Sequence, residues 1–316
     1  MPPSPPSPPP LPPVVPPPYP PYSGQYTAHY EAYIALHGDP HLSLPYGGQA
    51  DFRGTHGGIY NFLSAQNVSM NVRTTEATFL LPTAKWEANK RTHSNITVHG
   101  TFVTEAHIVM RTAQNRYFNV TVDALTDNEA YPGVWLGWSG VTASCSMRKT
   151  RDPLWTKPVR IHESRNCDEI TIKTDYTSTT MLTREFNITV IKLAVYDHIS
   201  GPTRRLDMEI SLRVPEAALM AQPHGIIGQG WDGTGKPRKG KTDTYPKEGS
   251  ITTSAMAEGA IEGVPTDYQI SSPYETRYKY SRFDAVPRKS ALDMAKRAYT
   301  TVVRAIAGSG ERKMAL

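Results

Sequence analysis

The sequence predicts a mostly β protein, an antiparallel β-sandwich or stack of sheets with one short α-helix near the C-terminus. Between residues 37 and 233, short runs of β-branched and aromatic residues recur between turn residues. In several runs apolar and polar residues alternate, as Ile170 and Ile172 do between Glu169 and Lys173. No helical periodicity separates these runs, and roughly ten strands without helices favour stacked antiparallel sheets.

The N-terminal segment has a different composition. Many of the chain's 28 prolines lie in residues 1–23. Proline lacks a backbone N–H and fixes φ, so this segment predicts an extended polyproline II spacer. Its Ser-Pro-Pro and Ser-Pro-Pro-Pro units resemble the hydroxyproline-rich spacers of plant and green-algal cell-surface proteins. Residues 24–36 form a Tyr-rich approach to the β-domain.

The C-terminal part divides into a linker and an extension. Residues 234–250 are rich in Gly, Lys, Thr and Pro and predict a linker or exposed loop. Residues 251–316 form a basic extension whose aromatic residues are expected to pack back on the β-domain; these are Tyr268, Tyr274, Tyr278, Tyr280 and Phe283. A helix is predicted over residues 291–307, with Ser290 as its cap and Gly308 at its end. Its apolar face either docks on the domain or meets a membrane or partner.

The charge is concentrated in this tail. The chain carries a formal net charge of +5, and residues 234–316 hold fifteen Lys/Arg against nine Asp/Glu, a net of +6. The tail is therefore either a solvated basic segment or a binding segment for an anionic polysaccharide or membrane. Nucleic acid is not expected, because the aromatic residues of the tail read as packing residues.

Two features favour export. Cys145 and Cys167 are the only cysteines and predict a disulfide in an exported chain. Four Asn-x-Ser/Thr sequons are candidate glycosylation sites; these are Asn67, Asn95, Asn119 and Asn187. The alternative is that Asn and Thr simply recur in β-rich sequences.

No signal peptide or transmembrane stretch is seen. We therefore expect an extracellular or cell-surface location for a chain whose N-terminus is truncated or fragmentary. The oligomeric state is left open.

Two motifs bracket the β region. His37-Gly38-Asp39-Pro40-His41 stands at its start, followed by residues 50–54 and 58–63, which contain Asp51, Phe52 and Tyr60. Val214-Pro215 and then His224-Gly225-Ile226-Ile227-Gly228-Gln229 stand at its end. This order resembles von Willebrand factor type D domains, in a cysteine-poor form similar to the C-terminal region of inter-α-trypsin inhibitor heavy chains. The resemblance covers residues 37–233 and implies that fold.

The resemblance also implies chemistry at Asp39. Related domains cleave themselves at the Asp-Pro bond, and in the heavy-chain relatives the corresponding Asp becomes ester-linked to a glycosaminoglycan. The side chain of Asp39 could attack its own carbonyl and expel Pro40, with His37 or His41 assisting proton transfer. The structural alternative is that Gly-Asp-Pro opens a strand, with Asp39 accepting backbone hydrogen bonds.

Metal binding has two candidate ligand sets. The resemblance implies calcium, with Asp39, Asp51 and Asp232 as the acidic residues near the two motifs. His37, Asp39 and His41 would share one face of a strand and could ligate a transition metal, although nothing nearby completes four ligands. Apart from calcium, no cofactor is expected.

The predicted function is a non-enzymatic extracellular structural or adhesive module that binds extracellular proteins or anionic polysaccharide, with self-cleavage or crosslinking at Asp39-Pro40. One alternative is a polysaccharide-active β-sandwich enzyme, which needs a carboxylate pair in an open cleft. Another is a lectin-like domain, which would expose Trp135, Trp138 or Trp155; those residues are otherwise core.

Overall fold

A computed structural model describes residues 33–87, 90–125, 138–147, 156–195 and 197–288. These residues form two eight-stranded sheets of mainly antiparallel strands, and no α-helix occurs among them. The strands are β1 (Tyr33–His37), β2 (His41–Leu44), β3 (Gly48–Asp51), β4 (Ile59–Ala65), β5 (Val68–Glu87), β6 (Lys90–Arg111), β7 (Tyr117–Asp123), β8 (Trp138–Ser146), β9 (Lys157–Arg160), β10 (Ser164–Cys167), β11 (Ile170–Thr174), β12 (Ser178–Leu182), β13 (Phe186–Ala194), β14 (His198–Ser200), β15 (Arg204–Leu212) and β16 (Gly249–Thr252). Short 3-10 turns cover Pro45–Gly47, Glu216–Ala218, Gly228–Gly230 and Pro265–Tyr268. The β-rich fold class is confirmed.

The first sheet has the strand order β10-β11-β12-β13-β15-β1-β2-β3. Its strands follow the alternation of the sequence: in β11 both isoleucines are buried, and β13 alternates buried and half-buried residues along its length. The strand β1 lies inside this sheet although it comes first in the chain. Its neighbours are β15 on one side and β2 on the other.

The second sheet has the order β14-β5-β6-β7-β8-β9, with β4 also paired to β5 and β16 paired in parallel to β6. The sequence predicts several short strands where the structure has the long β5 and β6. Pro82 lies within β5 and Gly100 lies within β6. In the described part of the chain, only β6 pairs with β5 at Pro82. The missing N–H of Pro82 therefore interrupts no hydrogen bond to a further strand.

The largest of the hydrophobic clusters in the described residues fills the space between the sheets. Ile34 and Leu36 enter it from the first sheet, and Ile108 and Val120 enter it from the second. At one end Phe52 packs edge-on against Tyr60 and Phe62, with ring centroids 5.0 and 5.4 Å apart. Fully burying each such large side chain contributes about 1.5–3 kcal/mol, so this core is the main source of stability.

The closing motif runs beside β4. Main-chain atoms of His224 and Ser64 exchange two hydrogen bonds of 2.7 Å, and the amide of Ile227 donates to the Phe62 carbonyl at 2.9 Å. Gly225 has a φ of +96°, and a Cβ added there would lie 2.5 Å from the Phe62 oxygen. Only glycine fits this close approach.

The segment predicted as a linker is docked on the sheets. The Gln49 amide of β3 donates to the Arg238 carbonyl at 3.0 Å, and the Gly240 amide donates back to the Gln49 carbonyl at 2.7 Å. Further along, β16 pairs with β6. Residues 234–250 are therefore an exposed loop, one of the two alternatives predicted for this segment, and the loop is fixed to β3 by main-chain hydrogen bonds. Its sequence shows no apolar pattern because the docking uses main-chain atoms.

The extension packs against the β-domain up to residue 288, as expected from its aromatic residues. Tyr268, Tyr274 and Phe283 are fully buried. The spacer 1–23, most of the approach segment 24–36 and the helix predicted over 291–307 lie outside the described residues. Within the described ranges, no helix has the length and apolar character that a membrane span requires.

Candidate functional site

The Gly38-Asp39-Pro40 segment is a tight turn between β1 and β2. His37 and His41 are paired across it, so the turn holds only three residues. Gly38 has a φ of +64°, a left-handed conformation that favours glycine. Its amide donates to Asp207 Oδ1 at 3.2 Å, and the Phe52 amide donates to the Pro40 carbonyl at 2.9 Å. The turn leads directly into β2, which begins at His41, as the structural alternative expects, but the Asp39 oxygens contact the side chains of His41 and Tyr245 instead of the expected backbone amides.

The Asp39 carboxylate is buried and both of its oxygens are engaged. Oδ1 lies 3.1 Å from His41 Nε2, and Oδ2 accepts a hydrogen bond of 2.5 Å from the Tyr245 hydroxyl. A Cβ added at Gly100 of β6 would lie 3.3 Å from Oδ2. The absence of a side chain at Gly100 therefore leaves room for this carboxylate.

His41 lies between two carboxylates. Its Nδ1 is 2.7 Å from Asp51 Oδ1, opposite its contact with Asp39. The hydrogen bond to Asp39, then that to Asp51, raises the pKa of His41 from 6.5 to about 10, although burial opposes this. The ring is therefore an imidazolium at neutral pH, and both of its nitrogens donate. Asp51 is held by its second oxygen, which accepts the Asp243 amide at 2.7 Å.

Tyr245 completes the cluster from the docked tail. Burial, followed by the charge of Asp39, raises the pKa of this phenol above its ordinary value. The hydroxyl thus remains protonated and donates to Asp39. Its ring lies 5.9 Å from the His41 ring, centroid to centroid. We call Asp39, His41, Asp51 and Tyr245 the turn cluster.

The ionisation of His41 predicts a pH-dependent stability. Because the folded-state pKa is raised, this contribution is complete below about pH 6.5 and is lost as the pH rises through about 10. The side chain is 44% exposed, so screening should reduce the effect to about 1 kcal/mol or less. Urea unfolding across this range should show the decline, and the His41→Gln variant should show a flatter curve. Identical pH dependence in both proteins would mean that the turn cluster does not carry it.

His37 belongs to a different group. Its Nδ1 lies 3.8 Å from Asp207 Oδ2, and Arg205 Nε lies 3.0 Å from Asp207 Oδ1. Burial opposes ionisation of Asp207, but the hydrogen bonds from His37, Arg205 and the Gly38 amide lower its pKa. His37 and His41 stand on two neighbouring strands and contact different carboxylates, so the transition-metal set of His37, Asp39 and His41 on one strand face is corrected.

The three proposed calcium ligands are not assembled either. Asp39 and Asp51 are bridged by His41, whereas Asp232 binds Arg238 Nε at 3.1 Å and the Thr234 amide at 2.9 Å. Within the described ranges, no group of three acidic, His or Cys side chains is arranged to hold a metal ion. The calcium set Asp39, Asp51 and Asp232 is therefore corrected.

The disulfide prediction is confirmed. Cys145 and Cys167 are bonded, with Cα atoms 5.7 Å apart. The bond joins β8 of the second sheet to β10 at the edge of the first sheet. It therefore ties the two layers together.

The four sequons differ in exposure. Asn95 is exposed, Asn187 is half-buried, and Asn67 is half-buried with its Oδ1 accepting from Arg111 Nε at 2.7 Å. Asn119 is fully buried in β7. A glycan on Asn119 is incompatible with this packing, and that site is corrected; Asn95 is the most accessible acceptor of the four.

Two other polar clusters bear on the enzyme alternative. His107 Nδ1 lies 2.8 Å from Thr121 Oγ1, and its Nε2 lies 2.9 Å from Glu105 Oε2. His107 is buried, and the Tyr274 hydroxyl bonds to Thr121 at 2.7 Å. The arrangement resembles a nucleophile-base-acid relay, but Tyr274 occupies the position a substrate would need. The side chains of Glu105, His107, Thr121 and Tyr274 thus form an internal hydrogen-bond network.

A cleft of about 260 Å³ contains Glu169 and Glu185. Burial raises the pKa of Glu185. Each carboxylate accepts a backbone amide at 2.7 Å, Glu169 from Ala113 and Glu185 from Met220. These bonds give both residues a structural role in fastening loops.

The three tryptophans that a lectin-like domain would expose do not test that alternative. Trp138 begins β8, while Trp135 and Trp155 lie outside the described residues. Trp231 is fully buried and packs against Phe186, with ring centroids 5.9 Å apart.

Sequence reasoning found Asp39, His41 and Asp51 but missed Tyr245. That residue stands in a Thr-Tyr-Pro step within the predicted linker, and the only signal is one aromatic residue in a polar segment. Tyr245 reaches its partner Asp39 only because the segment that contains it is docked on the sheets.

The fold and the turn cluster define a two-sheet β protein in which His41 lies between the carboxylates of Asp39 and Asp51 beside the β1–β2 turn. Comparison with protein-family models and with curated proteins finds no match to this chain.

Proposed function

We propose that this chain is an extracellular structural or adhesive module of the von Willebrand factor type D-like class, and that its Asp39-Pro40 bond cleaves itself. The observation that carries the proposal is the environment of Asp39. The Asp39 carboxylate belongs to a tight turn next to the bond it would break, and the imidazolium of His41, one residue past the leaving proline, lies 3.1 Å from that carboxylate.

The chemistry needs no external reagent other than water. One Asp39 carboxylate oxygen attacks the carbonyl carbon of the same residue and forms a five-membered cyclic anhydride. The bond from that carbon to Pro40 nitrogen breaks, and the nitrogen takes up a proton, which the His41 imidazolium can supply. Water then opens the anhydride and leaves Asp39 as a new C-terminus. A hydroxyl group of a partner would instead leave an ester crosslink.

The extracellular assignment is supported by three features. The Cys145–Cys167 disulfide is typical of oxidising compartments. Asn95 presents an exposed sequon. The proline-rich residues 1–23 would serve as a spacer that projects the module toward extracellular proteins or anionic polysaccharide.

The cleavage proposal is tested on the full chain. Secreted protein is incubated in mildly acidic and neutral buffers and run on denaturing gels, with the Asp39→Ala variant as the matched control. We expect fragments of residues 1–39 and 40–316 from the wild type alone. Mass spectrometry should place the new C-terminus at Asp39. A wild-type chain that stays intact under every condition would contradict the proposal.

Tyr245→Phe is expected to speed cleavage by about tenfold. The Tyr245 hydroxyl stabilises the carboxylate in its resting position, and a hydrogen bond to a charged group contributes about 1.5–3 kcal/mol. Part of that energy must be given up before Oδ2 can attack, and about 1.4 kcal/mol corresponds to a factor of ten in rate. The rate is read from gel densitometry against time. Slower cleavage in Tyr245→Phe would mean that the phenol assists the reaction.

A further inference from the structure

We propose that β1 becomes a replaceable strand once the Asp39-Pro40 bond is cut, and that its slot then takes the β1 strand of a second copy of this chain. The inference rests on the proposed self-cleavage and concerns what that cleavage would do. The slot is the position of β1 between β15 and β2, and its shape and strand register determine which segment can fill it.

The slot has two open sides because β1 is an internal strand. On one side β1 is antiparallel to β15, with Ile34 opposite Ile210 and Leu36 opposite Met208. On the other side Leu36 stands opposite Leu42 of β2. A departing β1 would expose two strand edges with unpaired main-chain groups, and such edges bind extended segments by strand addition.

The side chains of β1 specify which segment fits. Ile34 and Leu36 are buried in the core between the sheets, and Ala35 is buried on the opposite face. The slot thus requires a large, a small and a large apolar residue in succession. The β1 strand of another copy meets this requirement in the native register.

The C-terminal end of β1 is also held by specific polar contacts. Asp207 accepts the Gly38 amide at 3.2 Å and lies 3.8 Å from His37 Nδ1. After cleavage, Asp39 would carry a second carboxylate at the new C-terminus, next to the His41 imidazolium. This charge complementarity favours a strand that ends at Asp39 over one that continues.

No disulfide of this chain would retain the cleaved strand. Cys145 and Cys167 are its only cysteines, they are bonded to each other, and both lie after Pro40. The Asp39-Pro40 bond is therefore the covalent link between β1 and the rest of the domain. Cutting it leaves β1 held by hydrogen bonds and apolar contacts alone.

Strand exchange would carry the proline-rich residues with it. Residues 1–23 precede β1 in the same fragment, so each exchange passes a spacer from one module to another. Cleavage would thus turn a fixed spacer into a detachable one.

The test uses cleaved full chain and a fluorescent synthetic peptide of residues 24–39 ending in a free Asp carboxylate. We expect cleaved protein to take up the peptide and release its own fragment 1–39, as followed by fluorescence anisotropy and gel filtration. Uncleaved Asp39→Ala protein should take up none. A peptide carrying Leu36→Asp should bind at least about tenfold more weakly, because it would bury a charge.

The outcome is separable from that of the proposed function. If the wild-type chain does not cleave itself, the same turn is cut through a site-specific protease sequence inserted after residue 39 in Asp39→Ala, and the peptide is matched to that end. Uptake by this cut protein supports the replaceable strand even where self-cleavage fails. Cut protein that takes up no peptide, whether its fragments stay paired or separate, overturns the inference.

Discussion

Replacing Trp231 with alanine is expected to lower the free energy of unfolding by about 3–5 kcal/mol. Trp231 is the largest fully buried side chain of the described core and follows directly on the closing motif. Its ring packs against Phe186 of β13, while the motif itself pairs with β4. The truncation would leave a large cavity where the two sheets and the closing turn meet. Urea unfolding measures the loss from the shift of the midpoint.

Trp231→Phe provides the matched control. The indole Nε1 is buried and has no hydrogen-bond partner among the residues that the structure describes, and an unsatisfied buried donor costs about 1–3 kcal/mol. Phenylalanine removes that donor while it keeps most of the apolar contact, so its loss should be less than about half that of alanine. An alanine variant within about 1 kcal/mol of wild type would contradict this account of the core.

Removing the disulfide is the second large effect. Changing Cys145 and Cys167 together to alanine should lower the free energy of unfolding by about 3 kcal/mol, since the two residues are 22 apart in sequence and the bond restricts the unfolded chain. Alanine is preferred to serine because Cys167 is fully buried. The loss should appear as a lower urea midpoint.

A reductant gives the control for this variant. It should destabilise the wild type to the level of the double alanine variant and leave that variant unchanged. Wild-type protein whose unfolding does not respond to full reduction would show that the link between β8 and β10 adds no stability.

The β-rich fold class could be predicted from the sequence because the burial of one strand face appears as an alternation of apolar and polar side chains. The alternation in β11 and β13 reflects one buried face, and the structure has strands there. The sequence could not reveal the length of β5 and β6, because Pro82 and Gly100 normally interrupt strands. Their effect depends on what lies beside them: among the described strands only β6 pairs with β5 at Pro82, and the Asp39 carboxylate lies beside Gly100.

The turn cluster was predictable in part for the same reason. Asp39 and His41 belong to one short motif, and Asp51 follows nearby in sequence. Tyr245 is about two hundred residues away in the chain, and docking through main-chain atoms leaves no pattern of residue types. The two predicted sets of metal ligands were wrong because the presence of acidic residues near a motif does not determine where their side chains lie in the fold. His41, which was expected to help a reaction, also fills the space between two proposed ligands.

The docking of the tail along β3 has a consequence for solubility. A sheet edge with free main-chain groups recruits other chains and promotes aggregation. Residues 238–241 protect the β3 edge, and the opposite edge strand β10 is only four residues long. A fragment ending at residue 233, the boundary suggested by the two motifs, would leave β3 unprotected. It should precipitate or associate at concentrations where a chain extending to residue 288 remains dispersed.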